Sequence, residues 1–212
     1  MIGRYCRVEP LSVERHAAAL FEAYRTDSDN RIWTYLPYGP FATWEDYRVW
    51  MEGVCLGDDP MFHAIIDSQT GIAAGVASYL RLDPEHGVIE VGHINYSPRL
   101  QRSAAATEAM YLMVKRVFEL GYRRYEWKCD SLNQGSRRAA QRLGFAYEGI
   151  FRQATLYKGR NRDTAWFAVI DQEWAALKTA YEQWLAPANF DDAARQKSRL
   201  ADYTEPVLKL RG

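Results

Sequence analysis

The stretch SPRLQRSAAATEAMYLMVKRVFELGYRR, residues 97–124, decides the fold because a turn, a cluster of very small residues and a long helix follow one another in it. Its apolar residues recur at spacings of three and four, which predicts an amphipathic helix that runs to about Glu119 and stops at Gly121. A helix begins with unpaired N–H groups and a partial positive charge. Small side chains there let an anion, typically a phosphate, approach the backbone. An ordinary buried helix with a tightly packed first turn would explain the same residues.

On both sides of this stretch, segments of period two alternate with segments of helical period. Ser12 and Thr43 lie where side chains cap the first two helices, and Thr43 with Asp46 resembles a capping box. The sequence predicts strands at 4–10, 61–67, 72–82, 88–97, 123–130, 145–159 and 163–170, and helices at 13–25, 44–55, 133–143 and 171–185 beside the one that ends near 119.

The composition is that of a soluble globular protein, with 48% hydrophobic and 25% charged residues. A formal net charge of zero gives no support for nucleic acid or an anionic membrane as a partner. No run of about eighteen apolar residues occurs, so we expect no membrane span, and the charged N-terminus does not resemble a signal peptide. We expect one domain over residues 1–186 and a polar extension over 187–212, which is either a docking arm or a partly disordered end.

The numbers and spacings of cysteine and histidine indicate the redox state of the thiols and whether a metal site is expected. The three cysteines are widely spaced, which is typical of reduced thiols in a cytoplasmic protein. The four histidines show no metal spacing with them, so we expect no metal site. Cys129 has no evident partner base, and we interpret it as a core residue.

Two motifs and the order of the elements resemble the GNAT superfamily of acyl-CoA N-acyltransferases. QRSAAATEA, from Gln101, lies where that family has its pyrophosphate loop, Gln/Arg-x-x-Gly-x-Gly/Ala. NQGSRRAAQRLGFAYEGIFR, from Asn133, is similar to the second signature of the branch that includes the ribosomal-protein N-terminal (Rim-type) acetyltransferases, as is RDTAWFAVIDQEW near the C-terminus. The resemblance runs from about residue 7 to 175. It implies an α+β fold of three layers (α/β/α), with a mixed, mostly antiparallel sheet of about seven strands that splays at its centre and is flanked by helices.

The resemblance also implies acetyl-CoA (coenzyme A) as the cofactor. The N–H groups of Ser103 through Thr107 would bind the pyrophosphate, and the backbone around Ile94 to Tyr96 would pair with the pantetheine amides. Arg102 and Ala104 stand where the branch often has glycine, and Arg102 would compensate by contacting a phosphate oxygen. The cofactor-binding residues that we expect are Ile94, Asn95, Tyr96, Gln101, Arg102, Ser103, Ala104, Ala105, Ala106, Thr107, Asn133 and Ser136.

Acetylation of an amine by direct attack on a thioester needs a base for the amine and an acid for the departing thiolate. Glu90 is the first candidate base and His93 the second. Alternation along the strand places them on opposite faces unless a bulge intervenes. A glutamate paired with a surface arginine is the structural alternative for Glu90. For the acid, the tyrosine used by many GNAT enzymes corresponds to Ala140, and the Rim-type branch resembles this chain in having Ser136.

Asn133 would hold the pantetheine or orient Ser136, although both residues are also good helix caps. Exposed aromatic side chains would line the acceptor site, where cation–π contact with an amine is possible. Packing of the first two helices on the sheet explains the loop aromatics equally well. The acceptor-site residues that we expect are Trp33, Tyr35, Tyr38 and Tyr157.

Three functions are compatible with these residues. The first is an acetyl-CoA-dependent N-acetyltransferase that acts on a small amine, an amino acid or a protein N-terminus, as a possible homodimer. The second is a non-catalytic acyl-CoA-binding module, favoured by the absent glycines and tyrosine. The third is a nucleic-acid-binding or purely structural α/β protein, against which the zero net charge and the absence of a stacking motif count.

Overall fold

The computed structural model describes residues 1–211 and has an α+β fold, in which helices flank a mixed seven-stranded sheet of order β1-β2-β3-β4-β5-β7-β6. The strands are β1 (Cys6–Pro10), β2 (Met61–Asp67), β3 (Ala73–Asp83), β4 (Val88–Tyr96), β5 (Arg124–Asp130), β6 (Ala146–Tyr157) and β7 (Arg160–Ile170). The helices are α1 (Ala18–Arg25), α2 (Trp44–Val54), α3 (Ala104–Glu119), α4 (Gln134–Arg142), α5 (Asp171–Leu185) and α6 (Leu200–Thr204). The predicted order of strands and helices is confirmed up to α5, and the final helix α6 was not predicted.

The chain divides into two compact units. The first contains Met1–Leu82 and Glu90–Met113, and the second contains Asp83–Ile89 and Val114–Gly212. In the first unit β1, β2 and β3 are antiparallel, with Val8 opposite Ile65 and Ala64 opposite Val76. Within residues 1–211 no helix is both long and apolar enough to cross a membrane.

The core of the first unit includes one face of the first helix. Leu20 is fully buried, and Phe21 and Tyr24 are nearly so. The rings of Phe21 and Tyr24 pack on Tyr47 of α2, at centroid distances of 5.5 Å and 6.2 Å. The start of this helix differs from the prediction, because residues Val13–Ala17 form a turn of π-helix before α1.

Side-chain caps begin two of the helices where the sequence predicts them. Thr43 Oγ1 accepts the backbone N–H of Asp46 at 3.1 Å, so one half of the predicted capping box is present. The Asp46 carboxylate accepts the Thr43 hydroxyl at 2.7 Å instead of returning to the backbone of Thr43. Ser12 Oγ accepts the N–H of Arg15 at 3.3 Å and caps the π-helical turn.

The second unit is built on the antiparallel strands β5, β7 and β6, with Trp127 opposite Phe167 and Tyr147 opposite the same residue on its other side. Gly144 ends the segment after α4 with a φ of +87°. A Cβ on this residue would lie 2.4 Å from Leu177 Cδ1 of α5. The glycine is therefore required both by its backbone conformation and by the close approach of α5.

The C-terminal segment folds onto this second unit, so the expectation of a partly disordered end is wrong for residues 187–211. The indole Nε1–H of Trp184 donates to the carbonyl of Ser198 at 3.1 Å, and its ring packs edge-on against Phe190 at 5.3 Å. Thr204 Oγ1 donates to the carbonyl of Arg142 at 2.9 Å, and Leu200 is 1% exposed. The domain boundary after residue 186 stays a prediction, and Gly212 lies outside the described residues.

A single buried carboxylate holds the N-terminal segment in place. Glu108 of α3, 5% exposed, accepts the backbone N–H groups of Arg4, Tyr5 and Cys6 at 2.8, 2.6 and 2.8 Å. A Cβ on Gly3 would lie 2.3 Å from Glu108 Oε2, so the chain can approach this carboxylate only because Gly3 has no side chain.

We predict that Glu108→Ala lowers the free energy of unfolding by about 3 kcal/mol, because three buried N–H groups lose a charged acceptor at once. Urea unfolding followed by circular dichroism measures the change. Glu119→Ala, which removes an exposed carboxylate of the same helix, is the matched control and should cost less than about 1 kcal/mol. Equal losses in the two variants would show that the hydrogen bonds of Glu108 contribute no net stability.

Candidate active site

Strand β4 carries the two predicted base candidates and has one irregular residue. His93 has a φ of +50°, in the left-handed region that a residue with a Cβ rarely adopts. The extended conformation is therefore interrupted between Gly92 and Ile94. The simple alternation that places Glu90 and His93 on opposite faces does not hold across this point.

Glu90 is a buried carboxylate, 3% exposed. Arg81 of β3 donates from Nη1 to Glu90 Oε2 at 2.7 Å, although the arginine side chain itself is 63% exposed. The backbone at Arg81 is held in turn by Asp59, whose carboxylate accepts the N–H groups of Arg81 and Leu82 at 2.9 and 3.2 Å. The structural alternative, an ion pair with an arginine, is thus present, and the role of Glu90 as base stays a prediction.

His93 is half-buried and packed between rings. Its Nδ1 lies 3.0 Å from the hydroxyl of Tyr38, and the two rings are stacked at 5.6 Å with an interplanar angle of 11°. Phe62 of β2 lies 5.0 Å from the imidazole. Burial, with a smaller contribution from the positive charge of Arg81, lowers the pKa of His93 to about 4, so the imidazole is neutral near pH 7.

The aromatic residues of the loop between α1 and α2 divide into a buried part and a half-buried part. Trp33 is 4% exposed and packs edge-on against Tyr24, Tyr38 and Phe41. The expectation of Trp33 as an exposed wall of the acceptor site is therefore wrong, because its ring belongs to the core of α1, α2 and β2. Tyr35 and Tyr38 are half-buried, and Tyr38 is the one that contacts β4.

The turn before α3 has a left-handed backbone conformation at Arg102, where glycine would fit more easily. The carbonyl of Ser97 accepts the N–H groups of Leu100 and Gln101 at 3.0 and 3.1 Å. Arg102 then adopts a φ of +59°, and its side chain is exposed. An arginine in the left-handed region costs about 1 kcal/mol relative to glycine, and it places a cation beside the start of the helix.

The first N–H groups of α3 are only partly available, which corrects the expectation that Ser103 through Thr107 are all donors. Ser103 Oγ accepts the N–H of Ala106 at 3.0 Å, and the carbonyl of Ser103 accepts that of Thr107 at 3.4 Å. The N–H of Ser103 donates to Leu100 at 3.3 Å. Within residues 1–211, the N–H groups of Ala104 and Ala105 have no hydrogen-bond acceptor.

The carbonyl groups of β4 next to this turn already have partners. Tyr24 donates its hydroxyl to the carbonyl of Asn95 at 3.1 Å, and Gln101 donates from Nε2 to the carbonyl of Tyr96 at 2.9 Å. The side-chain amide of Asn95 is buried, beside Tyr24 and Phe62, so any ligand contact of Asn95 would run through its backbone.

In the second unit, Asn133 and Ser136 form a helix cap, as the structural alternative predicts. Asn133 Oδ1 accepts the N–H of Ser136 at 3.0 Å at the start of α4. The hydroxyl of Ser136 has a separate partner, because the indole Nε1–H of Trp127 donates to its oxygen at 2.9 Å. The cap engages only the backbone of Ser136, and its hydroxyl also interacts with the Cys129 thiol, whose pKa burial raises and this interaction lowers in part. Ala140, at the position of the missing tyrosine, is fully buried.

Tyr157, the last predicted acceptor-site residue, donates its hydroxyl to Asp130 Oδ2 at 2.9 Å in the second unit. Asp130 also accepts the N–H of Leu132 at 2.9 Å. Sequence reasoning missed Arg81, Trp127 and Asp130 as partners of candidate residues. Their strand positions were visible, but the sequence carries no signal for which side chain lies opposite which.

Comparison with known proteins identifies the class. A family model described as an acetyltransferase (GNAT) domain matches residues 7–146. The chain therefore belongs to the GNAT acetyltransferase family, whose members use acetyl-CoA as acetyl donor.

Solved structures support this assignment. A GCN5-related N-acetyltransferase from Brucella melitensis is 49% identical, with a TM-score of 0.94 over 96% of this chain and 93% of that chain. A probable acetyltransferase of the GNAT family from Chromobacterium violaceum is 42% identical, with a TM-score of 0.77 over 82% and 87%. RimL, a ribosomal L7/L12 α-N-protein acetyltransferase in complex with coenzyme A, shares the fold at 19% identity and a TM-score of 0.65 over 80% and 96%. No curated protein matches the chain.

We predict that His93 makes folding stability depend on pH. Its pKa is about 4 in the folded protein and ordinarily 6.5, so between these values the unfolded chain binds a proton that the folded chain does not. Stability should fall as the pH drops from 6.5 to about 4, by up to about 3 kcal/mol from this group. His93→Gln removes this contribution, and its unfolding free energy, measured in urea at steps across this range, should fall less steeply than that of the wild type. Parallel curves for the two proteins would contradict the buried neutral state of His93.

Proposed function

We propose that the chain transfers an acetyl group from acetyl-CoA to a primary amine of a small molecule, an amino acid or a protein N-terminus. The observation that carries the proposal is the start of α3. There the N–H groups of Ala104 and Ala105 have no acceptor in the described part of the chain, their side chains are the smallest that keep a Cβ, and the exposed cation of Arg102 precedes them. A pyrophosphate satisfies all three features.

The residues present fit the cofactor along the rest of this segment. The pyrophosphate would accept from Ala104 and Ala105 and from the Arg102 guanidinium. Pantetheine would lie along the backbone of Ile94 to Tyr96. When bound, acetyl-CoA supplies the acetyl group as a thioester, and the amine attacks it directly in a ternary complex.

Glu90 is the base in this proposal. A carboxylate can accept the proton that the amine loses, either directly or through a water molecule. The ion pair with Arg81 keeps the Glu90 carboxylate in one position, because a buried charge without a partner is strongly disfavoured. The acceptor amine then needs to reach Glu90 from the side of the half-buried rings of Tyr35 and Tyr38.

Ser136 is the acid in this proposal. Its oxygen accepts the indole N–H of Trp127, which polarises the O–H bond of the serine. Burial raises the pKa of the nearby Cys129 thiol, which keeps that residue protonated and inert. The departing thiolate would take the proton of Ser136, and the serine oxygen would regain a proton from solvent.

A non-catalytic acyl-CoA-binding module is the second candidate. It is favoured by the fully buried Ala140 at the position of the missing tyrosine and by the ion pair that occupies Glu90. We further propose a cytoplasmic location, because Cys6, Cys55 and Cys129 are all free and buried, and a homodimer in solution. The acceptor is left at the level of a primary amine.

We predict that acetyl-CoA binds with micromolar affinity and that Arg102→Glu weakens this binding about tenfold, since the substitution places a negative charge beside the pyrophosphate. Isothermal titration calorimetry measures both affinities. Arg116→Glu is the matched control, because it makes the same charge change on an exposed residue of α3 away from its start, and it should bind as the wild type does. No binding by the wild type would remove the enzyme and the binding module together.

We predict that Ser136→Ala lowers kcat about 100-fold with little change in KM for acetyl-CoA, because a proton donor is lost while the Asn133 cap remains. Steady-state assays with a panel of small amines, amino acids and peptides provide the values. Ser131→Ala in the preceding turn is the control and should retain wild-type kcat. An unchanged kcat in Ser136→Ala would leave Ser136 with its capping role alone, and no turnover by the wild type with any amine would favour the binding module.

A further inference from the structure

The pairing of Tyr38 with His93 restricts what the histidine can do. The hydrogen bond joins the Tyr38 hydroxyl to Nδ1 at 3.0 Å, while Nε2 has no hydrogen-bond partner among residues 1–211. A neutral imidazole has one nitrogen that donates and one that accepts. The direction of the Tyr38 bond therefore determines whether Nε2 presents a lone pair or a proton.

Chemistry favours donation by the tyrosine. A phenol hydroxyl is a stronger acid than the N–H of a neutral imidazole, and the unprotonated imidazole nitrogen is a stronger base than a neutral phenol oxygen. Burial raises the pKa of Tyr38 and lowers that of His93, so the tyrosine keeps its proton and the imidazole stays neutral. The charged groups near the ring are Arg81 of β3 and its partner Glu90, while Phe62 of β2 contributes only an apolar ring.

We propose that Tyr38 fixes His93 as the neutral tautomer with its proton on Nε2, so that His93 donates a hydrogen bond to an oxygen of the reacting groups and cannot serve as the base. The inference rests on the proposed function. It makes Tyr38 a positioning residue that acts through His93. It removes the second base candidate, because the only lone pair of the ring is used by Tyr38.

The geometry supports a donor that is held in place. The stacked arrangement of the two rings, 11° apart, and the contact with Phe62 restrict rotation of the imidazole. The φ of +50° at His93 costs conformational energy, which the surrounding contacts must offset. A neutral imidazole with a lowered pKa is a suitable group to polarise a carbonyl, since it donates without transferring its proton.

The chain contains its own reference for each tautomer. His16 accepts the backbone N–H of Ser12 at Nδ1 (3.0 Å), so its proton lies on Nε2, 3.0 Å from Glu9. His63 has Nδ1 at 3.1 Å from the carbonyl of Met61, which can only accept, so its proton lies on Nδ1. Burial lowers the pKa of both histidines, so both are expected to be neutral near pH 7.

The test is a long-range ¹H–¹⁵N correlation spectrum of the full chain labelled at histidine, recorded at pH 7, with each signal assigned through a single His→Gln variant. We expect the pattern of His93 to match that of His16 and to differ from that of His63. In Tyr38→Phe, which keeps the ring, the pattern should move toward a mixture of tautomers. A match with His63, or a protonated ring in the wild type, would overturn the proposal. An unchanged pattern in Tyr38→Phe would remove Tyr38 as its cause.

Kinetics provide the second arm. His93→Gln keeps an N–H donor and should retain kcat within about tenfold, whereas His93→Leu should lose about 100-fold, with KM for acetyl-CoA unchanged in both. If Glu90 is the base, kcat/KM should rise with pH as Glu90 loses its proton, and this rise should persist in His93→Gln. Equal losses with this rise absent would make His93 the base. His86→Gln, on the surface, is the control for labelling and folding.

The two arms separate the failure of this inference from that of the proposed function. If no amine is acetylated, the proposed function fails, and the role of His93 in the reaction fails with it, whatever its tautomer. If acetyl transfer occurs and His93 matches His63, the proposed function stands and the inference is wrong.

Discussion

The first turn of α3 is the constraint on which the rest of the candidate site depends. A helix must begin with N–H groups that its own backbone cannot satisfy. Here Ser103 satisfies part of them, while those of Ala104 and Ala105 have no acceptor among residues 1–211. The turn that delivers the chain to this point places Arg102 in the left-handed region. One turn later on the same helix, Glu108 accepts three N–H groups from the N-terminal segment. The helix start is thus fixed on one side by a turn and on the other by a buried carboxylate.

Strand β4 shows how the chain tolerates polar groups in a buried position. The buried charge of Glu90 is balanced by the ion pair with Arg81. The cost of burying His93 is avoided because its lowered pKa keeps the ring neutral. The two solutions have different chemical consequences. An ion-paired carboxylate keeps lone pairs that can accept a proton, whereas a neutral imidazole whose Nδ1 accepts from Tyr38 has only an N–H to offer. The chain belongs to the GNAT acetyltransferase family, and in the proposed function Glu90 acts as the base while His93 donates a hydrogen bond.

At the start of α4, the observed structural role and the proposed chemical role use different atoms. The Asn133 side chain and the backbone N–H of Ser136 form a helix cap, while the Ser136 hydroxyl is engaged by Trp127. The motif that resembles the family signature is therefore also an ordinary helix start. Trp33 is the opposite case, since its ring is consumed by core packing and leaves no surface for a ligand.

The sequence by itself determined the elements and their order, because periodicity, caps and stops are local. The helical spacing of apolar residues in α3, the caps at Thr43 and Asn133, and the stop at Gly121 act over a few residues, and all are confirmed. Only the tertiary structure decided the partners of the candidate site. Arg81 with Glu90, Tyr38 with His93 and Glu108 with the N-terminus join residues that are distant in sequence or lie on different elements. Such pairs depend on strand register, on the interrupted conformation at His93 and on which rings fill the core. No local pattern in the sequence encodes these three properties.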